Sequence, residues 1–171
     1  MKKLVILILI WVAVPSQAQE ASSSSDSNIT TYYLIRHAEK DRSDKTNRNP
    51  DLTKEGQERA KNWAALFEKV DFDLIYSTQY TRTLRTAAPT AMAKGIDVQS
   101  YLPRDLYNKK FRKATAGKTV LVVGHSNTTP AFVNAILGEK VYEDMDDTNN
   151  GSLYIVTVSG NAKKVQILSV N

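Results

Sequence analysis

Cysteine is absent from this chain. That excludes a disulfide framework, a thiolate metal site and a cysteine nucleophile, and it leaves the fold to be held by its core alone. Histidine occurs only twice, and no His-Glu-x-x-His pattern is present, so the residues give no zinc signature and imply neither a metal nor another cofactor. Long apolar runs are also scarce. The one run of note covers residues 4–14, eleven residues after Met1-Lys2-Lys3 and before Pro15-Ser16-Gln17-Ala18. That order of positive, apolar and small residues reads as a signal peptide over residues 1–18, cut after Ala18. Eleven residues are short for a bilayer span, so export is expected without a stable membrane anchor, and the expected location is the periplasm. No cysteine follows the cut that a lipid could acylate.

Removing residues 1–18 takes away Lys2 and Lys3 and no acid, which leaves 21 basic against 18 acidic side chains, a net charge of +3. So mild a balance suits a small anionic ligand and does not suggest a nucleic-acid partner. The sequence carries no signal of oligomeric state. Residues 19–29 are serine-rich, lack a large apolar residue until Ile29, and read as a flexible leader. Residues 30–171 then suit one domain, since 171 residues leave no room for two.

Within that domain, residues 30–36 form a buried strand by their β-branched, aromatic and aliphatic content. Residues 40–50 are polar and aperiodic, a loop. Thr53 reads as a helix N-cap, with Ala60, Trp63, Ala64 and Phe67 on one face. A short strand is expected at 72–76, then a helix at 81–93 stopped by Gly95, with Pro89 expected to kink it or shift its start. Further expectations are a strand at 98–102, a short basic helix at 105–113, and a strand at 119–123. An apolar helix opened by Pro130 and closed by Gly138 follows, then a hairpin of strands 153–158 and 163–170. This order predicts an α/β three-layer sandwich whose mostly parallel central sheet carries an antiparallel edge strand.

Both histidines, His37 and His125, fall just past apolar strands, and the parallel strands bring those ends to one edge of the sheet, where open α/β sheets bind ligands. Arg36 precedes His37. Arg82 begins a helix whose free N–H groups favour an anion. Arg85 reads as a solvated residue with a surface partner. Four stretches, Leu34-Ile35-Arg36-His37-Ala38, Leu52-Thr53-Lys54-Glu55-Gly56, Ser77-Thr78-Gln79-Tyr80-Thr81-Arg82-Thr83 with Thr86-Ala87, and Val122-Val123-Gly124-His125-Ser126-Asn127, together resemble the histidine phosphatase superfamily, the phosphoglycerate mutase-like proteins.

The resemblance implies that His37 is the nucleophile accepting a phosphoryl group and that Arg36, Arg82 and His125 bind the phosphate. The substrate class it implies is a small anionic phosphorylated molecule. Elementary chemistry agrees: a transferring phosphoryl group spreads negative charge over its oxygens, which arginine forks match, and a neutral imidazole attacks phosphorus without a metal to activate it. Arg36 is expected to help keep His37 neutral, and His125, if protonated, to donate to the transferred group.

Two departures stand out. The family often has glycine after the first histidine, where this chain has Ala38. The proton donor is usually an acid between the second arginine and second histidine or just after that histidine; Ser126 fills the latter place, which leaves Asp97 and Asp105, of which Asp105 is the candidate, with a helix N-cap as its alternative role. The basic run Arg104, Lys109, Lys110, Arg112 and Lys113 reads as a solvated face. Asp144, Asp146, Asp147 and Asn149 lack the glycine and glutamate of a calcium loop. The expected activity is thus a metal-independent phosphatase working through phosphohistidine; the alternatives are a phosphate-binding module without turnover and, less favoured, a phosphomutase.

Overall fold

The computed structural model describes residues 29–170. The segments expected to be a signal peptide and, nearly all of it, a flexible leader lie outside the described residues. Six strands form one sheet in the order β3-β2-β4-β1-β5-β6. They are β1 (Ile29–Arg36), β2 (Leu74–Ser77), β3 (Val98–Ser100), β4 (Thr119–Gly124), β5 (Ser152–Ser159) and β6 (Ala162–Ser169). The first four are parallel, and β5 runs antiparallel to both β1 and β6. Four helices connect them: α1 (Lys54–Leu66), α2 (Thr81–Lys94), α3 (Lys109–Thr115) and α4 (Thr128–Leu137). Among the described residues no helix is long and apolar enough to cross a membrane.

Strand alternation divides the core. Tyr32, Leu34, Val120 and Val122 pack with Phe111 of α3 and Phe132, Val133 and Ile136 of α4. Their neighbours Ile35, Leu121 and Val123 pack with Trp63 of α1, Phe67, and Ala87 and Ala91 of α2 on the opposite face. The result is the expected three layers. Both central strands, β1 and β4, are covered on each side, which is why they read as unbroken apolar runs. Each large side chain so buried contributes about 1.5–3 kcal/mol relative to exposure.

Local signals explain most helix limits. The Thr53 hydroxyl accepts from the Gly56 N–H at 3.0 Å, which caps α1. Gly95 and Gly138 close α2 and α4 in the left-handed region, with φ of 65° and 84°. Pro89 neither ends nor shifts α2; it costs the helix one bond, to the carbonyl of exposed Arg85, which as expected pairs with Asp51 on the surface, at 3.6 Å. The basic helix starts later than expected. Residues 103–105 form a 3₁₀ turn, Tyr107 takes a positive φ of 45°, and Asn108 caps α3 by accepting from the Phe111 N–H at 2.9 Å. Asp105 is therefore not a helix N-cap.

The connections locate a crevice. β1 and β4 are neighbours with Arg36 opposite Gly124. The chain leaves β1 for α1 on one face and β4 for α4 on the other, so the two exits diverge and open a cleft beyond the strand ends, the topological switch point.

Candidate active site

His37 and His125 each lie one residue beyond a strand end, and the His37 N–H bonds the Gly124 carbonyl at 2.9 Å. Their ring centroids are 5.4 Å apart, edge to face. With Arg36, Lys40, Tyr80, Arg82, Ser126, Asn127, Thr128 and Asp144 they line a pocket of about 510 Å³. Four of the five residues singled out in the sequence thus meet. Asp105 does not: it lines a separate cavity with Tyr76, Ser100 and Lys110, because the 3₁₀ turn carries it away from Pro103, which does reach the pocket.

His37 is 3 % exposed. Its Nδ1 lies 2.7 Å from the Ala38 carbonyl oxygen; a carbonyl only accepts, so Nδ1 carries the proton and Nε2 keeps its lone pair. The ring's pKa is lowered from 6.5 to about 3, first by burial, against the pull of the Ala38 carbonyl, with His125, Arg36 and Arg82 adding to the lowering. Burial, rather than Arg36, is what keeps the imidazole neutral. Ala38 itself is fully buried with its N–H on the Thr86 hydroxyl at 2.9 Å, and its φ is not positive, so this backbone does not require glycine there.

Position is further fixed from two sides. The Asn150 side chain donates to the His37 carbonyl at 2.7 Å. The Glu39 carbonyl accepts the Thr53 N–H at 2.9 Å, and the first turn of α1 comes so close that a β-carbon at Gly56 would run into that carbonyl. Glycine at 56 is thus a condition of seating the helix against the histidine loop.

Arg36 is 2 % exposed and differs from expectation. Its Nη1 donates to the carbonyls of Asp146, Asp147 and Asn149 at 2.9, 3.1 and 3.1 Å, and its Nη2 to Asp147 Oδ1 at 3.0 Å. The fork that was to hold phosphate holds a loop. Among the described residues Arg36 Nε remains buried without a partner, as do Nε and Nη1 of Arg82. Arg82 Nη2 lies 3.4 Å from His125 Nδ1, and its Cζ sits 4.4 Å from the centre of the Tyr80 ring. Burial lowers the pKa of His125 from 6.5 to about 4, with Arg82, Arg36 and Lys40 adding to it, so this ring too is neutral in the free protein. The anion-favouring helix end is also not α2 alone. The Thr81 N–H is taken by Asn49 Oδ1 at 2.8 Å, whereas α4 starts without a side-chain cap at Asn127, and Ser126, Asn127 and Thr128 line the pocket.

Sequence reasoning rejected the aspartates of segment 142–150 as a calcium loop and gave them no other role. Met145 is buried in the core and its N–H bonds the Ser126 carbonyl at 2.9 Å, which anchors Asp144 and Asp147 beside the pocket. Asp147 bridges Arg36 and Arg42, at 3.0 and 2.8 Å, and those bonds hold its pKa down at about 2. The inward hydroxyls Thr83 and Thr86 stand in the third matching stretch, but no role for them was read there. A polar stripe on a buried helix face was the available signal. Among the described residues no group of three or more His, Cys, Asp or Glu side chains is arranged to hold a metal ion.

The model of the histidine phosphatase superfamily (branch 1) matches residues 32–101. No curated protein matches the chain in sequence. Solved structures do match. One, from Agrobacterium tumefaciens, is named for the phosphohistidine phosphatase SixA: 21 % identity, TM-score 0.60, with 82 % of this chain and 98 % of that one covered. A phosphoglycerate mutase from Bacillus anthracis shares 14 % identity at a TM-score of 0.64, over 84 % of this chain and 94 % of that one. A phosphoserine phosphatase variant from Entamoeba histolytica, in complex with phosphoserine, shares 17 % at 0.62, over 80 % and 95 %. Residues 32–101 thus carry the sequence pattern of the histidine phosphatase superfamily, and the described residues share the fold of these solved structures.

Proposed function

We propose that this chain is a phosphatase that hydrolyses a small phosphomonoester through phosphohistidine at His37. One observation carries the reading: three buried guanidinium nitrogens without a partner among the described residues, Arg36 Nε and Arg82 Nε and Nη1, belong to two arginines that share a pocket with a neutral imidazole. Buried donors are almost always paired, and donors of positive charge around one pocket call for an anion. His37 Nε2 attacks phosphorus and the bond to the leaving oxygen breaks. The positive charge that develops on the ring is met by the Ala38 carbonyl at Nδ1. Water then cleaves the P–N bond, and phosphate leaves. Arg82, the free Nε of Arg36 and the start of α4 stabilise the transferring group. The imidazole lone pair needs no metal for activation, so turnover is expected with chelator present. Export to the periplasm belongs to the same proposal and rests on the apolar run of residues 4–14.

The test is phosphate release from p-nitrophenyl phosphate with chelator, together with ³²P labelling of the protein. An acid-labile, alkali-stable label present in the wild type and absent from His37→Ala is the expected result; turnover that persists in His37→Ala, or stops with chelator, refutes the mechanism. A rival reading, a phosphate-binding module without turnover, draws support from the position of Asp105. It predicts that inorganic phosphate raises the melting temperature while no phosphate is released.

The proton for the leaving oxygen falls to Asp144. Of the two acids lining the pocket, Asp147 is held ionised by Arg36 and Arg42, and Asp144 forms no ion pair among the described residues. Asp144→Asn is expected to slow an alkyl phosphate by about 10²-fold, and p-nitrophenyl phosphate, whose leaving group needs no acid, by less than about twofold. Equal effects on both substrates would remove Asp144 from this role.

A further inference from the structure

Behind His125 runs a chain of hydroxyls that no step above uses. His125 Nε2 is 2.9 Å from Thr78 Oγ1, which is 2.9 Å from Thr83 Oγ1. Both threonines are buried, at 1 % and 0 % exposure. Thr83 Oγ1 also faces the carbonyls of Thr78 and Tyr80, at 3.0 and 2.9 Å. Those oxygens only accept, so the single Thr83 hydroxyl proton points to them. Toward Thr78, Thr83 must then accept. The Thr78 proton goes to Thr83, and Thr78 Oγ1 accepts from His125, which places the proton of the neutral ring on Nε2. At the other nitrogen, Arg82 Nη2 can only donate, and it lies 3.4 Å from Nδ1. A proton on Nδ1 would set donor against donor. Both ends of the ring thus enforce one tautomer.

We propose that Thr78, oriented by Thr83, is a positioning residue that holds His125 as the Nε2–H tautomer, so that the Nδ1 lone pair beside Arg82 is the atom that takes a proton from a bound phosphoryl group. This rests on reading the pocket as a phosphate site. The transfer balances: a singly protonated phosphomonoester gives its proton to Nδ1, leaving a dianion beside an imidazolium, with no net proton exchanged with water. The newly formed Nδ1–H then donates to a phosphoryl oxygen. In the other tautomer Nδ1 already carries a proton, and the second would have to enter at Nε2, on the hydroxyl side.

With two histidines in the whole chain, two-bond ¹H–¹⁵N correlation spectra of the full-length protein and of His37→Gln assign the His125 ring directly. The expected result at neutral pH is a proton on Nε2 in the wild type and in Thr78→Ser, and loss of that single tautomer in Thr78→Val. Thr83→Val, which removes the acceptor that orients Thr78, is expected to mix the tautomers as well, and it stands in if Thr78→Val does not fold. On p-nitrophenyl phosphate, Thr78→Val should lose about 10–100-fold in kcat/KM, the scale of outer partners that orient a functional histidine, with most of it restored by serine. A proton on Nδ1 in the wild type, or an unchanged tautomer in both valine variants, overturns the proposal. The spectra need no turnover, so an inactive wild type would count against the phosphatase reading and leave the tautomer to decide this one.

Discussion

Replacing Arg82 by alanine is expected to lower kcat/KM for an aryl phosphate by about 10³-fold or more, the scale on which a transition-state arginine acts in phosphoryl transfer, without making the protein less stable. The second half follows from what Arg82 lacks. Its Nε and Nη1 are buried without partners, and burial lowers its pKa, with Arg36 adding to the effect. Its protein contacts are one 3.4 Å approach to His125 and the face of half-exposed Tyr80, the latter worth about 0.5–1 kcal/mol. Removing two unpaired buried donors offsets that loss. Arg36→Ala should behave differently, because Arg36 ties down the loop at 146–149, so activity and stability fall together. Steady-state kinetics and thermal melts on both variants check the contrast. A melting temperature for Arg82→Ala well below that of the wild type, or activity within tenfold of the wild type, would show that Arg82 is a structural residue. Functional groups held at a cost to stability are common where activity demands them.

The second large effect is acid destabilisation. His37 and His125 are neutral in the folded protein, with pKa values of about 3 and about 4 against 6.5 ordinarily. Above about pH 6.5 neither ring binds a proton in either state, and neither contributes to pH dependence. As pH falls through that value, the unfolded chain takes up two protons that the folded protein refuses, so stability declines down to about pH 3–4 and then levels. At about 1.4 kcal/mol per pH unit the two rings together are worth on the order of 5 kcal/mol, less than additive because they face each other. Asp147, held at about 2 by Arg42 and Arg36, moves the same way over its own lower range: its stabilisation is full above the ordinary carboxylate value and is lost as pH falls. Urea melts at pH 7.5 and pH 5 should show a decline in the wild type that is mostly absent when both histidines are replaced by glutamine. Millimolar phosphate should shrink it, since a bound anion favours imidazolium. A decline of equal size in the double variant would place its origin elsewhere.

Some of this was legible because its cause is local. The Thr53 cap, the Trp63–Phe67 face, the glycines that stop α2 and α4, and the apolar runs of β1 and β4 are each set by side chains within a few residues. The parallel strand order by itself puts Arg36, His37 and His125 at one sheet edge. The basic helix was placed too early because Leu106, Tyr107 and Phe111 are too few to fix where a period begins, and the Asn108 cap was hidden beside lysines. The aspartates of 144–147, set aside in sequence because they lack the pattern of a calcium loop, gain a role only in space. Their meaning depends on Met145 reaching the core and on Arg36, 110 residues away from Asp146 along the chain.

By itself, then, the sequence determined which strands are central, which helices flank them and which four cationic or titratable side chains share a pocket, because strand period, caps and connection order are local or topological. Only the tertiary structure decided how those side chains are used. Through contacts between distant segments it gave the Arg36 fork to the loop at 146–149, took Asp105 out of the pocket and brought Asp144 to it, and assigned each histidine its proton, on Nδ1 of His37 and on Nε2 of His125. Protonation and hydrogen bonding answer to whatever lies within about 3 Å in space, and separation along the chain does not encode that distance.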